Sequence, residues 1–176
     1  MSDIKLFPQL TTNRLTLRQI NKNDAASIYD LRNDPYVNQH ILVPENRKNE
    51  TGISFINNRL EDFQSNKGLY WAICLKPDSK LIGNICLWNF SEDFKKAELG
   101  YSLLKPYSGQ GLMTEALAAV LNYTFNDTNF ETIEAYTRFQ NTSSINLLTK
   151  FGFNMDENQK DAVDENNLIF VKQKPT

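Results

Sequence analysis

The chain has 176 residues, 40% of them hydrophobic and 11% aromatic, which is enough apolar surface to build the core of one domain spanning residues 1–176. A formal net charge of −2 and a sequence pI of about 5.5 argue against a broad cationic surface for nucleic acid or anionic lipid. No apolar run approaches the roughly 20 residues that cross a bilayer, and the opening Met1 to Pro8 lacks the apolar core of a secretion signal. A cytoplasmic protein is expected.

Residues 14–20 alternate apolar and polar side chains and predict a first strand. Asn23 and Asp24 then offer a cap to a helix running through Ala26, Ile28 and Leu31 and stopped near Asp34 and Pro35. Residues 35–47 read as irregular and carry Tyr36, Ile41 and the only histidine, His40. With no Cys or His beside it, His40 suits a pocket wall better than a metal, and no metal site is expected. A second helix is predicted from Asn49, with Ile53, Ile56, Leu60 and Phe63 on one face. Residues 69–76 and 80–89 predict two strands around the turn Pro77-Asp78-Ser79. Each holds a tryptophan, Trp71 and Trp88, expected to pack on the sheet, and a cysteine, Cys74 and Cys86, expected to be a buried free thiol.

The next stretch organises the chain. Ala97, Leu99, Tyr101 and Leu103 alternate with Lys96, Glu98, Gly100 and Ser102, the pattern of a strand. Met113, Ala116, Leu117, Val120, Leu121 and Phe125 recur at helical spacing. Between strand and helix stand Gly109 and Gly111, where the chain can turn sharply with its amides uncovered. A helix start with bare N–H groups is an anion site in waiting. Residues 131–138 predict a further strand, and Asn141, Lys150 and Gly152 cap, charge and close a following helix. Residues 153–155 and 167–172 predict a closing hairpin. Its connection carries Asp156, Glu157, Asp161, Asp164 and Glu165, either a solvated loop or a lure for a cationic amine.

The run from Glu98 to Ala116 resembles the acetyl-CoA-binding segment of the GCN5-related N-acetyltransferases, the GNAT superfamily, and is most similar to its Rim-type ribosomal-protein branch. The opening Asn13-Arg14-Leu15-Thr16-Leu17-Arg18 and the pattern of Asn141, Ser144, Lys150, Gly152 and Phe153 are similar to the same branch. The resemblance implies an α/β fold of the α+β type: a mixed, mostly antiparallel twisted sheet of six to seven strands with about four helices. Two strands would splay apart at the acetyl-CoA site, with no metal involved. It implies that backbone groups of Ser102, Leu103 and Leu104 meet the pantetheine arm. The pyrophosphate would rest on Gly109, Gln110, Gly111, Leu112, Met113 and Thr114, with Asn141 and Ser144 as further contacts.

Acetyl transfer to an amine needs a proton acceptor, a donor for the carbonyl oxygen and relief of the leaving thiolate. Glu98, on the polar edge of the central strand, is the candidate base, and a backbone N–H near Ser102 to Leu104 is the candidate oxyanion donor. Gly100 would permit a bulge there. The chain departs from the superfamily at Leu148, where many members have a tyrosine acid; Ser144 is the candidate in its place. Ser108, Gln110 and Met113 also depart from the usual turn, Gln110 removing a cation from the phosphate site. The expected reaction is direct transfer, in a ternary complex, to a primary amine, most simply a protein or peptide N-terminus, by a monomer or homodimer. Small-molecule amine acetylation (polyamine, amino sugar or antibiotic) and a non-catalytic acyl-CoA-binding module are the alternatives. A P-loop nucleotide enzyme is excluded because no Gly-x-x-x-x-Gly-Lys follows a strand.

Overall fold

Eight strands form one sheet in the order β1-β2-β3-β4-β5-β6-β8-β7 in the computed structural model, which describes residues 4, 6–45, 47 and 50–175. The strands are β1 (Leu10–Thr11), β2 (Leu15–Gln19), β3 (Leu69–Leu75), β4 (Leu81–Trp88), β5 (Lys96–Leu103), β6 (Thr132–Arg138), β7 (Asn154–Met155) and β8 (Asn167–Gln173). Among the described residues the α-helices are α1 (Ala25–Asn33), α2 (Pro35–Asn38), α3 (Gly52–Gln64), α4 (Leu112–Asp127) and α5 (Thr142–Lys150). Among the described residues only β5 and β6 pair in parallel. The mixed, mostly antiparallel sheet matches expectation, with one strand and one helix more. The two-residue β1 and the four-residue α2 are too short to leave a periodic signal.

β3 shows why the core has two halves. Leu69, Trp71 and Ile73 point to one face, where they pack with Leu15, Leu99, Ala116 and Leu148 beneath α4 and α5. Tyr70, Ala72 and Cys74 point to the other, with Ile28 and Leu31 of α1 and Phe55 and Ile56 of α3. A strand covered on both faces loses its alternation and reads as a continuous apolar run. Among the described residues, no helix is long and apolar enough to cross a membrane.

Several local expectations are corrected. Asn21, not Asn23 or Asp24, caps the entry to the first helix, in a reciprocal box over the turn Lys22–Asp24. Asp24 completes that box by accepting from the Asn21 amide at 2.8 Å, and it also takes a bidentate pair from Arg18 at 2.7 and 2.8 Å. The predicted start of the second helix at Asn49 lies outside the described residues; the helix there begins at Gly52 behind a Thr51 cap. Its buried face holds Gly52, Phe55 and Ile56, while Ile53 is exposed. Gly52 is obligatory in space: a Cβ there would stand 2.0 Å from the Ala25 carbonyl oxygen of α1. Trp71 is wholly buried, while Trp88, at the end of β4, is 47% exposed with its indole Nε1 3.9 Å from where a Gly100 Cβ would stand on β5. Asp164 is not a solvated loop carboxylate. It is buried and accepts from Arg138 Nε and Nη2 at 2.8 and 2.7 Å.

Candidate active site

β5 and β6 pair from Lys96↔Thr132 to Leu99↔Ala135 and then part company. Beyond that point β5 stays zipped to β4 as far as Gly83↔Leu103, and β6 stays zipped to β8 as far as Arg138↔Asn167. The gap therefore opens between two strands that are each held on their outer side. The β4–β5 register is unbroken, so no bulge at Gly100 makes the opening. The Leu104 amide donates to the Ile82 carbonyl at 3.0 Å, toward β4. Period-two alternation then turns the Ser102 amide toward β4 as well, and the Tyr101 and Leu103 amides toward the gap. Of the three expected backbone contacts only Leu103 faces it.

A cavity of about 930 Å³ runs through this opening, reaching from the glycine turn to the face covered by α1 and α3. Ser102, Leu103, Gly109, Gly111, Leu112, Met113 and Thr114 line it, as do Asn141 and Ser144. Leu104 and Gln110 do not belong to its lining. The Gln110 side chain donates its Nε2 to the Pro106 carbonyl at 2.8 Å. Gly109 and Gly111 have φ values of +74° and +75°, the left-handed region open to glycine. Nothing lies within 4 Å of where a Gly109 Cβ would stand, so the turn leaves room above the start of α4. Arg14, read from the sequence only as part of a strand, braces this turn. Its Nη1 donates to the Gln110 carbonyl at 3.0 Å and its Nε to Glu115 at 2.7 Å. Exposed amides, a helix start and a nearby guanidinium suit a diphosphate.

On the α4–α5 side, the Asn141 side chain caps α5 by accepting from the Ser144 amide at 3.2 Å. Ser144 Oγ lies 2.7 Å from the Tyr101 hydroxyl, which reaches across the gap from β5. Burial pushes the Tyr101 phenol up to about 12, against the Ser144 hydrogen bond, so it remains a neutral donor. Leu148, one turn further along α5, is fully buried in the core, where a tyrosine hydroxyl would need a partner of its own. The Tyr101–Ser144 pair was invisible in the sequence because its members are 43 residues apart.

On the opposite face stands Glu98, opposite Trp88 on β4 and Glu134 on β6. Asn89, held at φ +51°, donates its amide to Glu98 Oε2 at 3.4 Å. Burial pushes Glu98 up to about 7, with the Asn89 bond pulling against it and the Asp161 and Glu134 carboxylates reinforcing it. Glu134, also missed, is buried and takes hydrogen bonds from Lys96 Nζ at 3.2 Å and the Tyr136 hydroxyl at 3.3 Å. His40 and Cys86 line the same cavity, and burial pushes the Cys86 thiol up to about 12, far from a nucleophile. Cys74 is a buried free thiol away from it.

The model of the acetyltransferase (GNAT) domain matches residues 14–154. The chain belongs to the GNAT acetyltransferase family. An uncharacterized N-acetyltransferase of Bacillus subtilis, YoaA, is 30% identical over 148 residues, covering 84% of each chain. The [ribosomal protein uS5]-alanine N-acetyltransferase of Escherichia coli is 29% identical over 163 residues, covering 87% of this chain and 81% of its own. In three dimensions, Mycobacterium smegmatis RimJ in complex with CoA-disulfide superposes with a TM-score of 0.79 at 19% identity, over 94% of this chain and 87% of that one. The GNAT chain is thus an N-acetyltransferase whose relatives include Rim-type enzymes, and acetyl-CoA is the family's acyl donor.

Proposed function

We propose that this GNAT enzyme acetylates a primary amine, taken to be a protein or peptide N-terminus, by direct transfer with donor and acceptor bound together. The observation that carries the reading is the opening between β5 and β6, with amides and a helix start on one side and the Glu98 carboxylate on the other. The name of the uS5-alanine N-acetyltransferase supports the choice of an N-terminal amine.

The bound thioester supplies the activated acetyl group. Gly109, Gly111, Leu112, Met113 and Thr114 are the proposed seat of its diphosphate, and the Leu103 amide and Asn141 of its pantetheine arm. Ser102, Leu104 and Gln110 act through the frame: Ser102 Oγ donates to Asn84, the Leu104 amide ties β5 to β4, and Gln110 closes the turn. Glu98 takes the ammonium proton directly or through water, freeing the nitrogen lone pair to attack. A base with a pKa near 7 is poised to do this at neutral pH. The Leu103 or Tyr101 amide meets the carbonyl oxygen as it becomes negative. When the C–S bond breaks, the nitrogen passes its remaining surplus proton to the departing sulfur, and the Ser144 hydroxyl donates a hydrogen bond to that sulfur, its own oxygen accepting from Tyr101.

The test is transfer of acetyl from acetyl-CoA to synthetic peptides with free N-termini, read by mass spectrometry. Acetylated peptide that falls about 10²–10⁴-fold in rate with Glu98→Gln supports the reading. Tight CoA binding without transfer to any amine refutes it in favour of a binding module.

A further inference from the structure

We infer that the acceptor site holds an anionic group of the substrate in a subsite formed by Arg32, Arg47 and Arg59, at the far end of the cavity from Glu98. This rests on the reading of the Glu98 face as the acceptor side. All three arginines line the cavity, and they come from different segments: α1, the α2–α3 connection and α3. Arg32 and Arg59 both lie over the Phe55 ring, 3.8 and 5.1 Å from guanidinium carbon to centroid. Arg32 pairs with Glu50, and Arg59 with Asp62 at 2.8 Å. Arg47 gives Nη2 to the Arg32 carbonyl at 2.7 Å. Two carboxylates thus answer three guanidiniums in these contacts. The Nε atoms of Arg47 and Arg59 are buried and meet no hydrogen-bond acceptor among the described residues. Burial, and then the like charge of Arg32, hold Arg47 below the usual guanidinium range. A guanidinium gathered against its own kind and stripped of water is stabilised by an incoming anion.

The other end of the same face gathers carboxylates: Glu98 in the cavity wall, with Glu134, paired to Lys96, and Asp161 acting on it. On this face Glu98 on β5 lies diagonal to Cys86 on β4, which pairs with Tyr70 on β3, whose ring meets Phe55 edge-on at 5.3 Å. Two strand spacings of about 4.8 Å each put Tyr70 on the order of 10 Å from the strand that carries the base, and the guanidiniums lie beyond it, over the Phe55 ring. The complement to such a cleft is a molecule with an amine at one end and a carboxylate or phosphate at the other. An acidic side chain at the second or third position of a peptide reaches that far, and so does a compact amine bearing its own anion.

The experiment measures kcat/KM in matched pairs. One pair is Ala-Glu-Ala amide against Ala-Gln-Ala amide; the other is 2-aminoethyl phosphate against propylamine. The anionic member is expected to be favoured by about tenfold in at least one pair, and which pair responds identifies the source of the anion. Arg47→Gln and Arg59→Gln should bring that ratio close to one, through KM, and Arg47→Lys should restore part of it. Variants that lower both members equally, leaving the ratio unchanged, overturn the proposal, as does a wild-type ratio near one in both pairs. If no amine is acetylated, the transfer reading fails separately. Calorimetric binding of the same pairs to the CoA-loaded protein then decides the subsite by the same ratio.

Discussion

Glu98 is where a single titration ought to be visible twice. As a base it must be ionised, so kcat/KM should climb as pH rises through about 7 and then level off; Glu98→Gln should remove that limb along with most of the rate. Stability should move the other way. A folded-state pKa above the unfolded value means the native protein holds the extra proton, so Glu98 contributes most at acid pH and its contribution is lost as pH rises from about 4.5 to 7. Thermal melts should therefore show Glu98→Gln more stable relative to wild type at pH 8 than at pH 5. The candidacy of Glu98 was legible from strand alternation alone, since one edge of β5 is polar. Its carboxylate neighbours were not: Glu134 and Asp161 reach it from 36 and more residues away, and only the parallel pairing of β5 and β6 puts Glu134 alongside.

Among the elements, the turn into α4 and the α1–α3 crossing depend on missing side chains for different reasons. At Gly109 and Gly111 a side chain has space but the wrong backbone hand, so Gly109→Ala should cost about 1–2 kcal/mol of stability and weaken CoA binding, read by denaturant melts and calorimetry. At Gly52 the backbone is ordinary and the space is absent. Gly52→Ala must push α3 off α1, so urea melts should show a loss of about 1–3 kcal/mol. Glycines followed by helical periodicity announced the first device, because local sequence determines it. The second needs knowledge of which helix lies across Gly52, and nothing near Gly52 in the chain carries that. The same limit explains Asn21: three cap-forming residues crowd residues 21–24, and in the fold the Asp24 carboxylate serves both Arg18 and the Asn21 amide while Asn21 caps the turn.

For the molecule as a whole, the parted strands are where a bound ligand can tie the sheet together. CoA at a hundred times its dissociation constant adds about 2.7 kcal/mol to unfolding, which in a chain of this size is a rise of roughly 5–10 °C in Tm. Hydrogen exchange should find the protection concentrated at the Tyr101 and Leu103 amides, with Ser102 and Leu104 already protected by β4. A uniform gain along β5 would contradict the alternation. The long strands were legible because apolar runs and turns bound them; their order in the sheet and the arginine subsite were not, because both join segments far apart in the chain. Among the described residues the sheet stands like a wall with a window between β5 and β6, and on the proposed reading donor fittings are mounted on α4 and α5, acceptor fittings on α1 and α3. Descendants of this chain can accordingly refurnish the acceptor room, trading one amine for another, while the donor room is left as it was.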